Sequence, residues 1–476
     1  MKIMQTWIQV MTVRPNRLSC IFLHRSRCER GLPMDRLACC LCGVMVCFFS
    51  QAIGAVDAIY FESNDAGPHS GDCPVVQPSK TVILDPKYGG QWIVAGDLNG
   101  DGAVEFVACE NDNVGDVHYT STAVAQDLDG GVLWQWGDPD SGRKQWHHDV
   151  ACQIHDWDGD GHPEVILATK GALVELNGQT GREKRRIRIP DDATDCIVFA
   201  DLCGKGHPTD VLVKDRYRTL YAYNQEGTLL WHVTEPGGWR TAHQCRPMDL
   251  DGDGKDEIAA GYAMLNADGS VRWVFRSDKV DEKQGHLDCM RLFRRGDTLQ
   301  DVRLVLTLCG ANGIAMVDGN GKIIWERAGY HFESIDVGRV IPDVPGPQIL
   351  VDIDHQPLGQ GPLWLLDESG TLLGRINTDY ARHHHLLDWT GDGLDEIFNA
   401  HSGAVYDATG HRIATLSAGS VGDRGERSLL VGDFTGDGVP DVALVTTTAL
   451  YLFKNEQGRR PSHPVRLGTE SNFTLY

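Results

Sequence analysis

A short acidic phrase recurs along the chain, with carboxylates at its first, fifth and ninth positions, an oxygen-bearing side chain at its third and glycine at its sixth. In its five intact copies the first, third, fifth and ninth residues are Asp97, Asn99, Asp101 and Glu105; Asp156, Asp158, Asp160 and Glu164; Asp249, Asp251, Asp253 and Glu257; Asp388, Thr390, Asp392 and Glu396; and Asp433, Thr435, Asp437 and Asp441. Calcium takes about six to eight hard oxygen ligands, and glycine permits the sharp reversal that gathers them. The acidic phrase therefore predicts several structural Ca2+ sites. The alternative is an Asp- and Gly-rich turn without metal.

The spacing of the acids distinguishes the acidic phrase from an EF-hand. An EF-hand loop ends in a bidentate glutamate at its twelfth position and lies between two helices. Here the last acid stands at position nine, and apolar stretches typical of strands flank the phrase, such as residues 92–95 and 104–108 around the first copy. We therefore expect each phrase to connect two strands.

A second pattern, Asn or Asp followed three or four residues later by glycine, alternates with the acidic phrase and has the composition of a tight β-turn. Its eight copies begin at Asp127, Asn177, Asn224, Asn266, Asp318, Asp367, Asp407 and Asn455. Three degenerate phrases, at Asp201, Arg291 and Asp336, complete a series of eight. Four strands per repeat, named A to D from the centre outward, predict an all-β, eight-bladed β-propeller with calcium loops between strands A and B of most blades. A seven-bladed propeller is the alternative.

The formal net charge of −22 comes largely from the acidic phrases. This excess predicts bound cations, and it argues against nucleic acid or an anionic membrane as a partner because the repeats contain no basic patch. We expect a monomer whose partner is a polysaccharide.

The N-terminal 58 residues differ from the repeats. Residues 1–33 are basic and unpatterned, and Met34 precedes a charged pair, an apolar run at 37–49 and small residues, which is typical of a secretory signal peptide. We therefore expect translation to start at Met34, the propeller to occupy residues 59–476, and the protein to be secreted or periplasmic without a membrane span. A long signal or a lipid anchor is the alternative. Eight cysteines follow this segment and permit disulfides.

Basic side chains recur at the blade ends opposite the acidic phrases. Histidines precede strand A in several repeats, and a predicted B-to-C turn carries lysine, arginine and tyrosine. A cation that neutralises a uronate carboxylate acidifies the neighbouring C5 proton, which a histidine, lysine or tyrosine can remove in a β-elimination. The candidate catalytic residues are Lys214 and Arg216, as carboxylate neutralisers or base, and His243 and His286, as base or acid. The candidate substrate contacts are His148, Tyr262, His331 and His384. For any single histidine, a structural role is the alternative.

Part of the sequence resembles a known family. The segments that look like the propeller of family 11 rhamnogalacturonan lyases are 211–217, 220–224, 227–231, 248–258, 261–262, 265–269 and 336–339. More loosely, the mature chain resembles FG-GAP/VCBS propellers such as integrin α heads. The lyase resemblance implies a calcium-stabilised, eight-bladed propeller that cleaves a pectic backbone by elimination. One departure is that residues 59–90 are too few for the N-terminal β-domain that such lyases usually carry.

Three functions are therefore compatible with the sequence. The first is a secreted polysaccharide lyase acting on a uronate-containing, rhamnogalacturonan-like glycan. The second is a non-catalytic FG-GAP propeller for glycan binding or adhesion. The third is a structural propeller with no ligand besides calcium.

Overall fold

The computed structural model describes residues 59–65, 73–90, 92–115, 117–140, 152–279, 285–355, 361–419 and 427–461. Across these residues the chain is almost entirely β, with 34 strands in eight separate sheets and one short 3-10 turn, Pro236–Gly238. The predicted eight-bladed β-propeller is confirmed, and the seven-bladed alternative is wrong. Residues 1–58, on which the signal-peptide prediction depends, lie outside the described part.

Three short strands precede the blades: β1 (Phe61–Asn64), β2 (Val75–Val76) and β3 (Lys80–Ile83). Blades 1 and 2 contain β4 (Trp92–Gly96), β5 (Glu105–Asn113), β6 (His118–Asp127) and β7 (Val132–Gly137), then β8 (Cys152–His155), β9 (Glu164–Thr169), β10 (Ala172–Asn177) and β11 (Glu183–Arg188). Blades 3 and 4 contain β12 (Ile197–Ala200), β13 (Asp210–Lys214), β14 (Thr219–Tyr223) and β15 (Leu229–Thr234), then β16 (Thr241–Met248), β17 (Glu257–Gly261), β18 (Ala263–Leu265) and β19 (Val271–Val274).

Blades 5 and 6 contain β20 (His286–Arg294), β21 (Arg303–Cys309), β22 (Gly313–Val317) and β23 (Ile323–Ala328), then β24 (His331–Gly338), β25 (Gln348–Asp354), β26 (Gly361–Leu366) and β27 (Leu372–Thr378). Blade 7 contains β28 (His384–Leu387), β29 (Glu396–Asn399), β30 (Ala404–Tyr406) and β31 (Arg412–Leu416). Blade 8 contains β32 (Ser428–Gly432), β33 (Asp441–Val445) and β34 (Ala449–Phe453). Within every blade, neighbouring strands of the meander are antiparallel.

Blade 8 is closed by the N-terminal part of the chain. Its outer strand is β3, which pairs antiparallel with β34, from Lys80 opposite Leu452 to Ile83 opposite Ala449. The turn pattern at Asn455, the last of the eight, predicts that a strand D follows it, and this prediction is wrong because β3 occupies that edge of the blade. Strands β1 and β2 lie parallel to β27 and β31 on the outer edges of blades 6 and 7. The ends of the ring are thus joined by backbone hydrogen bonds between distant parts of the sequence.

The core consists of apolar layers between adjacent blades. The middle strands are buried on both faces, as in β9 and β13, because each blade packs against a blade on either side. One apolar cluster contains side chains of blades 8 and 1, among them Leu430 and Phe106, which completes the ring. Transfer of this much apolar surface from water is the main stabilising contribution to such a fold.

Tryptophans on the outer strands of blades 1, 3, 4 and 5 connect each of these blades to the one that follows. The indole N–H donates to a backbone carbonyl in the following blade's C-to-D turn: Trp134 to Gly178 (2.6 Å), Trp231 to Ala267 (2.9 Å), Trp273 to Gly319 (3.1 Å) and Trp325 to Glu368 (2.8 Å). The ring lies against the turn glycine, where a Cβ would overlap it, as at Gly181. This packing explains why glycine turns and tryptophans recur together in the sequence.

Each acidic phrase connects strands A and B, as predicted, and has a common hydrogen-bond pattern. In the first phrase the Asp97 carboxylate accepts the N–H groups of Gly100 (2.7 Å) and Gly102 (2.9 Å), both at positive φ. One oxygen of Glu105 accepts the N–H of Leu98 at 2.8 Å. These bonds hold the reversal in place through the side chains of the phrase.

The cysteines do not form disulfides within the described residues. Cys73, Cys109, Cys152, Cys196, Cys203, Cys245, Cys289 and Cys309 are all free thiols. Most of them are buried, and in this position a cysteine packs as a small apolar residue. In the described part of the chain, no helix is long and apolar enough to cross a membrane.

Candidate active site

The candidate residues lie at the blade ends remote from the acidic phrases, which we call the opposite face. His286 and His331 are the first residues of strand A in blades 5 and 6, and His243 is the third residue of strand A in blade 4. Lys214 and Cys309 end strand B in blades 3 and 5. Because inner strands of successive blades are neighbours, residues far apart in sequence meet on this face.

Two histidines and one aspartate form the centre of the cluster. Nε2 of His286 lies 3.1 Å from Nε2 of His243 and 3.2 Å from Oδ1 of Asp288, and Nε2 of His243 lies 3.7 Å from the same oxygen. All three side chains are buried. Burial lowers the pKa of both histidines to about 3, so the imidazoles are neutral at physiological pH. Burial also raises the pKa of Asp288 well above its usual range.

A second group of titratable side chains continues the cluster into blade 6. Nε2 of His331 lies 2.8 Å from Oε1 of Glu333 and 3.8 Å from Sγ of Cys309. Arg382 donates from Nη2 to the same Glu333 oxygen at 3.0 Å and also pairs with Asp354. The hydrogen bond from His331 is a main reason why the pKa of Glu333 is held below its usual value in spite of its burial. The cluster is therefore continuous from blade 4 to blade 6.

The donor set of this cluster suits a divalent cation. Ligand atoms of His243, His286 and Asp288 all lie within 4.8 Å of one another, as do those of Asp288, Cys309 and His331. Two buried oxygens at the same place, Oδ2 of Asp288 and Oε2 of Glu333, accept no hydrogen bond from the residues that the structure describes. Buried carboxylate oxygens in native proteins are generally satisfied, and a bound cation would satisfy these.

Lys214 and Arg216 meet at one buried carboxylate, that of Asp195. Oδ2 of Asp195 accepts from Nζ of Lys214 at 3.1 Å and from Nη1 of Arg216 at 3.3 Å, and its Oδ1 lies 2.8 Å from Nδ1 of His118. Lys214 is completely buried and donates a second bond to the carbonyl of Arg216 at 2.9 Å. Lys214 therefore holds the turn that carries Arg216, whose side chain remains 17% exposed.

Tyr217 and Arg240 complete this part of the cluster, although neither was among the candidate site residues. The half-buried Tyr217 ring lies 4.9 Å from the ring of His286 and 5.6 Å from that of His243, measured between centroids. The guanidinium carbons of Arg216 and Arg240 lie 4.9 Å and 5.4 Å from the centre of the Tyr217 ring. The signal was present, because Tyr217 follows Arg216 directly and Arg240 precedes strand A of blade 4, where histidines stand in other blades.

The other predicted substrate contacts occupy less open positions. Tyr262 is fully buried, and its hydroxyl donates to the carbonyl of Cys309 at 3.2 Å, beneath the cluster. His384 is buried at the start of β28, its Nδ1 lies 2.9 Å from the Ala381 carbonyl oxygen, and burial lowers its pKa to about 4. His331 joins the cluster directly. His148 lies outside the described residues.

The acidic phrases lie at the other end of the blades, separate from this cluster. In two of them, ligand oxygens of the first, third and ninth residues approach within 4.8 Å of one another: Asp156, Asp158 and Glu164, and Asp249, Asp251 and Glu257. The ninth residue of each phrase is buried, and burial raises its pKa, which is the case for Glu105, Glu164, Glu257, Glu396 and Asp441. The phrases thus hold the A-to-B turns and leave the opposite face to the basic cluster.

Comparison with known proteins supports the fold. The structure is similar to rhamnogalacturonan lyase PL11 of Bacillus licheniformis, with a TM-score of 0.58 and 20% identity over 83% of this chain and 77% of that chain. It is also similar to rhamnogalacturonan lyase YesW, with a TM-score of 0.54, 20% identity and the same coverage. The V. cholerae biofilm matrix protein Bap1 gives a TM-score of 0.55 at 13% identity, over 85% of this chain and 96% of that chain. No protein-family model and no curated protein matches the sequence. At these identities the similarity shows a shared propeller fold.

Proposed function

We propose that this protein is an exported polysaccharide lyase that cleaves an acidic, uronate-containing glycan, of rhamnogalacturonan type, by β-elimination. The observation that carries the proposal is the cluster of Arg216, Tyr217, Arg240, His243 and His286 at one end of the propeller. It combines cations, which suit a sugar carboxylate, with groups that can accept a proton. The shared fold with two rhamnogalacturonan lyases supports the same reaction class.

In this proposal the two guanidinium groups beside Tyr217 bind the substrate carboxylate. Neutralising that carboxylate makes the C5 proton more acidic, and Tyr217, acting as the phenolate, takes the proton as the C4 oxygen leaves. Lys214 and Asp195 position Arg216 from below. His243 and His286, which are neutral and share contact with Asp288, suit cation binding better than proton transfer.

A divalent cation held by His243, His286 and Asp288 would add positive charge against the substrate carboxylate. The donor set, with two imidazole nitrogens and one carboxylate, is compatible with this role. The acidic phrases at Asp97, Asp388 and Asp433, on the other end of the blades, are proposed as structural Ca2+ sites whose ion stabilises the turn and takes no part in the reaction.

A non-catalytic role in glycan binding or adhesion is the second candidate. The similarity to a biofilm matrix protein favours it, because that chain is matched over 96% of its length. In this case the same cationic cluster would bind an acidic glycan without cleaving it.

The deciding experiment incubates the purified protein with a panel of uronate polymers in the presence of calcium and follows the ultraviolet absorbance of the unsaturated uronate that elimination creates. A lyase gives increasing absorbance on at least one acidic glycan, and the signal is lost in the Tyr217→Phe variant. Glycan binding without absorbance, unchanged by Tyr217→Phe, would overturn the lyase proposal and support the binding protein.

A further inference from the structure

Seven outer strands share one irregularity just after the C-to-D turn. In each, the first and third residues pair with adjacent residues of strand C, so the second residue is left out of the ladder as a β-bulge. The bulge residues are Leu133, Lys184, Leu230, Arg272, Ile324, Leu373 and Ile413. A bulge re-aims the side chain that it carries. Five of these side chains are apolar, and only the two in blades 2 and 4 carry charge.

Both charged bulge residues reach into the acidic phrase of their own blade. Nζ of Lys184 lies 2.7 Å from Oδ2 of Asp158 and 2.6 Å from Oε1 of Glu164. Nη2 of Arg272 lies 2.7 Å from Oδ2 of Asp251, and its Nη1 lies 2.7 Å from Oε1 of Glu257. In each case the partners are the third and ninth residues of the phrase. One side-chain cation therefore joins two carboxylates that would otherwise be calcium ligands.

The phrases of blades 1 and 7 have the opposite combination. Their third residues are neutral, and their bulge residues are Leu133 and Ile413. The ninth residue accepts instead from the third: Asn99 donates to Glu105 at 3.2 Å and Thr390 to Glu396 at 3.1 Å. A third acid in the phrase thus accompanies a cation in the bulge, and a neutral third residue accompanies an apolar bulge.

The two kinds of partner differ in how they respond to calcium. An amide or a hydroxyl carries an oxygen that can turn to the metal and become a ligand. Ammonium and guanidinium groups have no free lone pair, so calcium must displace them from the same oxygens. Displacement is costly here, because Glu164 and Glu257 are only 1% and 4% exposed and are already paired at short distance. In blade 4, Arg295 from the next blade also donates to the Asp249 carbonyl at 2.7 Å.

We propose that Lys184 and Arg272 are built-in cations that take the place of calcium in the acidic phrases at Asp156 and Asp249. This inference rests on the calcium chemistry proposed above and is independent of the lyase reaction. These two phrases, which have carboxylates at all four ligand positions, thus form without the ion, whereas the phrases of blades 1 and 7 depend on calcium in solution.

The test compares Lys184→Met, Arg272→Met and the double variant with the parent protein after treatment with a chelator. The control is Arg186→Met, which removes an exposed cation from the same strand as Lys184, where it pairs with the surface Glu183. Equilibrium dialysis against calcium measures the ions bound per chain, and thermal unfolding is recorded in chelator and in calcium.

We expect the double variant to bind two more calcium ions per chain than the parent. Each single variant should lose roughly 2–4 °C in Tm in chelator and regain it in calcium, whereas Arg186→Met should change neither quantity. If the parent binds calcium and the variants neither bind more nor recover, this inference is wrong and the calcium proposal stands. If no protein binds calcium, both fail, and in that case calcium changes the Tm of neither the parent nor the Asp97→Asn variant.

Discussion

The Nε2 atoms of His243 and His286 lie 3.1 Å apart, although the two histidines belong to different blades. Such proximity requires that at most one imidazole is protonated, and burial lowers the pKa of each to about 3. The same carboxylate, that of Asp288, lies beside both. Both imidazoles are therefore neutral, and their nitrogens lie close enough together to bind one ligand.

This pair should make the protein sensitive to acid. In the unfolded chain each histidine binds a proton near its usual pKa of 6.5, whereas in the folded chain it does so only near pH 3. The free energy of unfolding is therefore highest above about pH 6.5, and it falls as the pH is lowered toward 3. We expect His243→Gln and His286→Gln each to reduce the loss of unfolding free energy between pH 7 and pH 4.5 by roughly 2 kcal/mol. Urea unfolding at the two pH values measures this loss, and His232→Gln, at an exposed histidine, is the control. Equal losses in parent and variants would contradict the prediction.

Asp352 should make the protein less stable at high pH, the opposite of the effect of the two histidines. Burial and the neighbouring Glu333 raise its pKa from 3.8 to about 8, so the folded state keeps a proton that the unfolded state releases. Stability therefore falls as the pH rises from about 4 to 8. Because Oδ1 of Asp352 accepts both hydrogen bonds from Ser334 at 2.8 Å, asparagine can replace the protonated acid. Asp352→Asn should match the parent at pH 4 and be more stable at pH 8, on the order of 3 kcal/mol. A variant no more stable than the parent at pH 8 in urea unfolding would refute this.

Substitutions of Tyr217 and Arg240 should change lyase activity in different ways. On a uronate polymer, Tyr217→Phe should lower kcat about 10²–10⁴-fold with little change in KM, because it removes a proton acceptor and retains the ring. Arg240→Gln should raise KM and lower kcat/KM, because it removes one cation from the carboxylate. The matched control is Arg218→Gln, whose side chain is 66% exposed and pairs with Glu235. Steady-state kinetics, followed by ultraviolet absorbance, measures kcat and KM of each variant. An Arg218→Gln variant as impaired as Arg240→Gln would argue against the assignment of Arg240 to the substrate carboxylate.

Much of the architecture follows from local sequence signals. The acidic phrases and the Asx-to-Gly turns encode tight turns within a few residues, so their alternation gives both the number of blades and the end at which each turn lies. The strand that closes blade 8 has no such signal. Lys80–Ile83 is a short stretch that pairs with residues more than 360 positions away, and only the closed ring specifies its partner.

The candidate site was predictable in its position but not in its contacts. The placement of His243, His286 and His331 near strand A starts follows from the repeat, whereas their proximity depends on the packing of separate blades. Lys214 was expected to face a substrate, yet it is fully buried, because Asp195 and a backbone carbonyl satisfy its ammonium group. Buried lysines are rare without such partners, and sequence alone does not reveal the partner.

Phe61 provides a final prediction, which concerns the closure of the ring. It pairs with Gly374, the third residue of β27, where four other outer strands carry the tryptophan that packs on the next blade. A Cβ on either Gly374 or Gly410 of blade 7 would overlap the Phe61 ring, so this ring fills the place of the missing tryptophan.

Phe61→Ala should therefore destabilise the protein by about 3–5 kcal/mol, whereas Tyr60→Ala, at a residue 57% exposed, should have little effect. Gly374→Trp alone should also destabilise, because the indole and Phe61 compete for one space. Combined with Phe61→Ala, Gly374→Trp should recover much of the loss, since the outer strand then supplies its own ring. Urea unfolding of the four variants measures these energies. Additive losses in the double variant would show that Phe61 does not replace the tryptophan, because two residues that occupy one space must give non-additive effects.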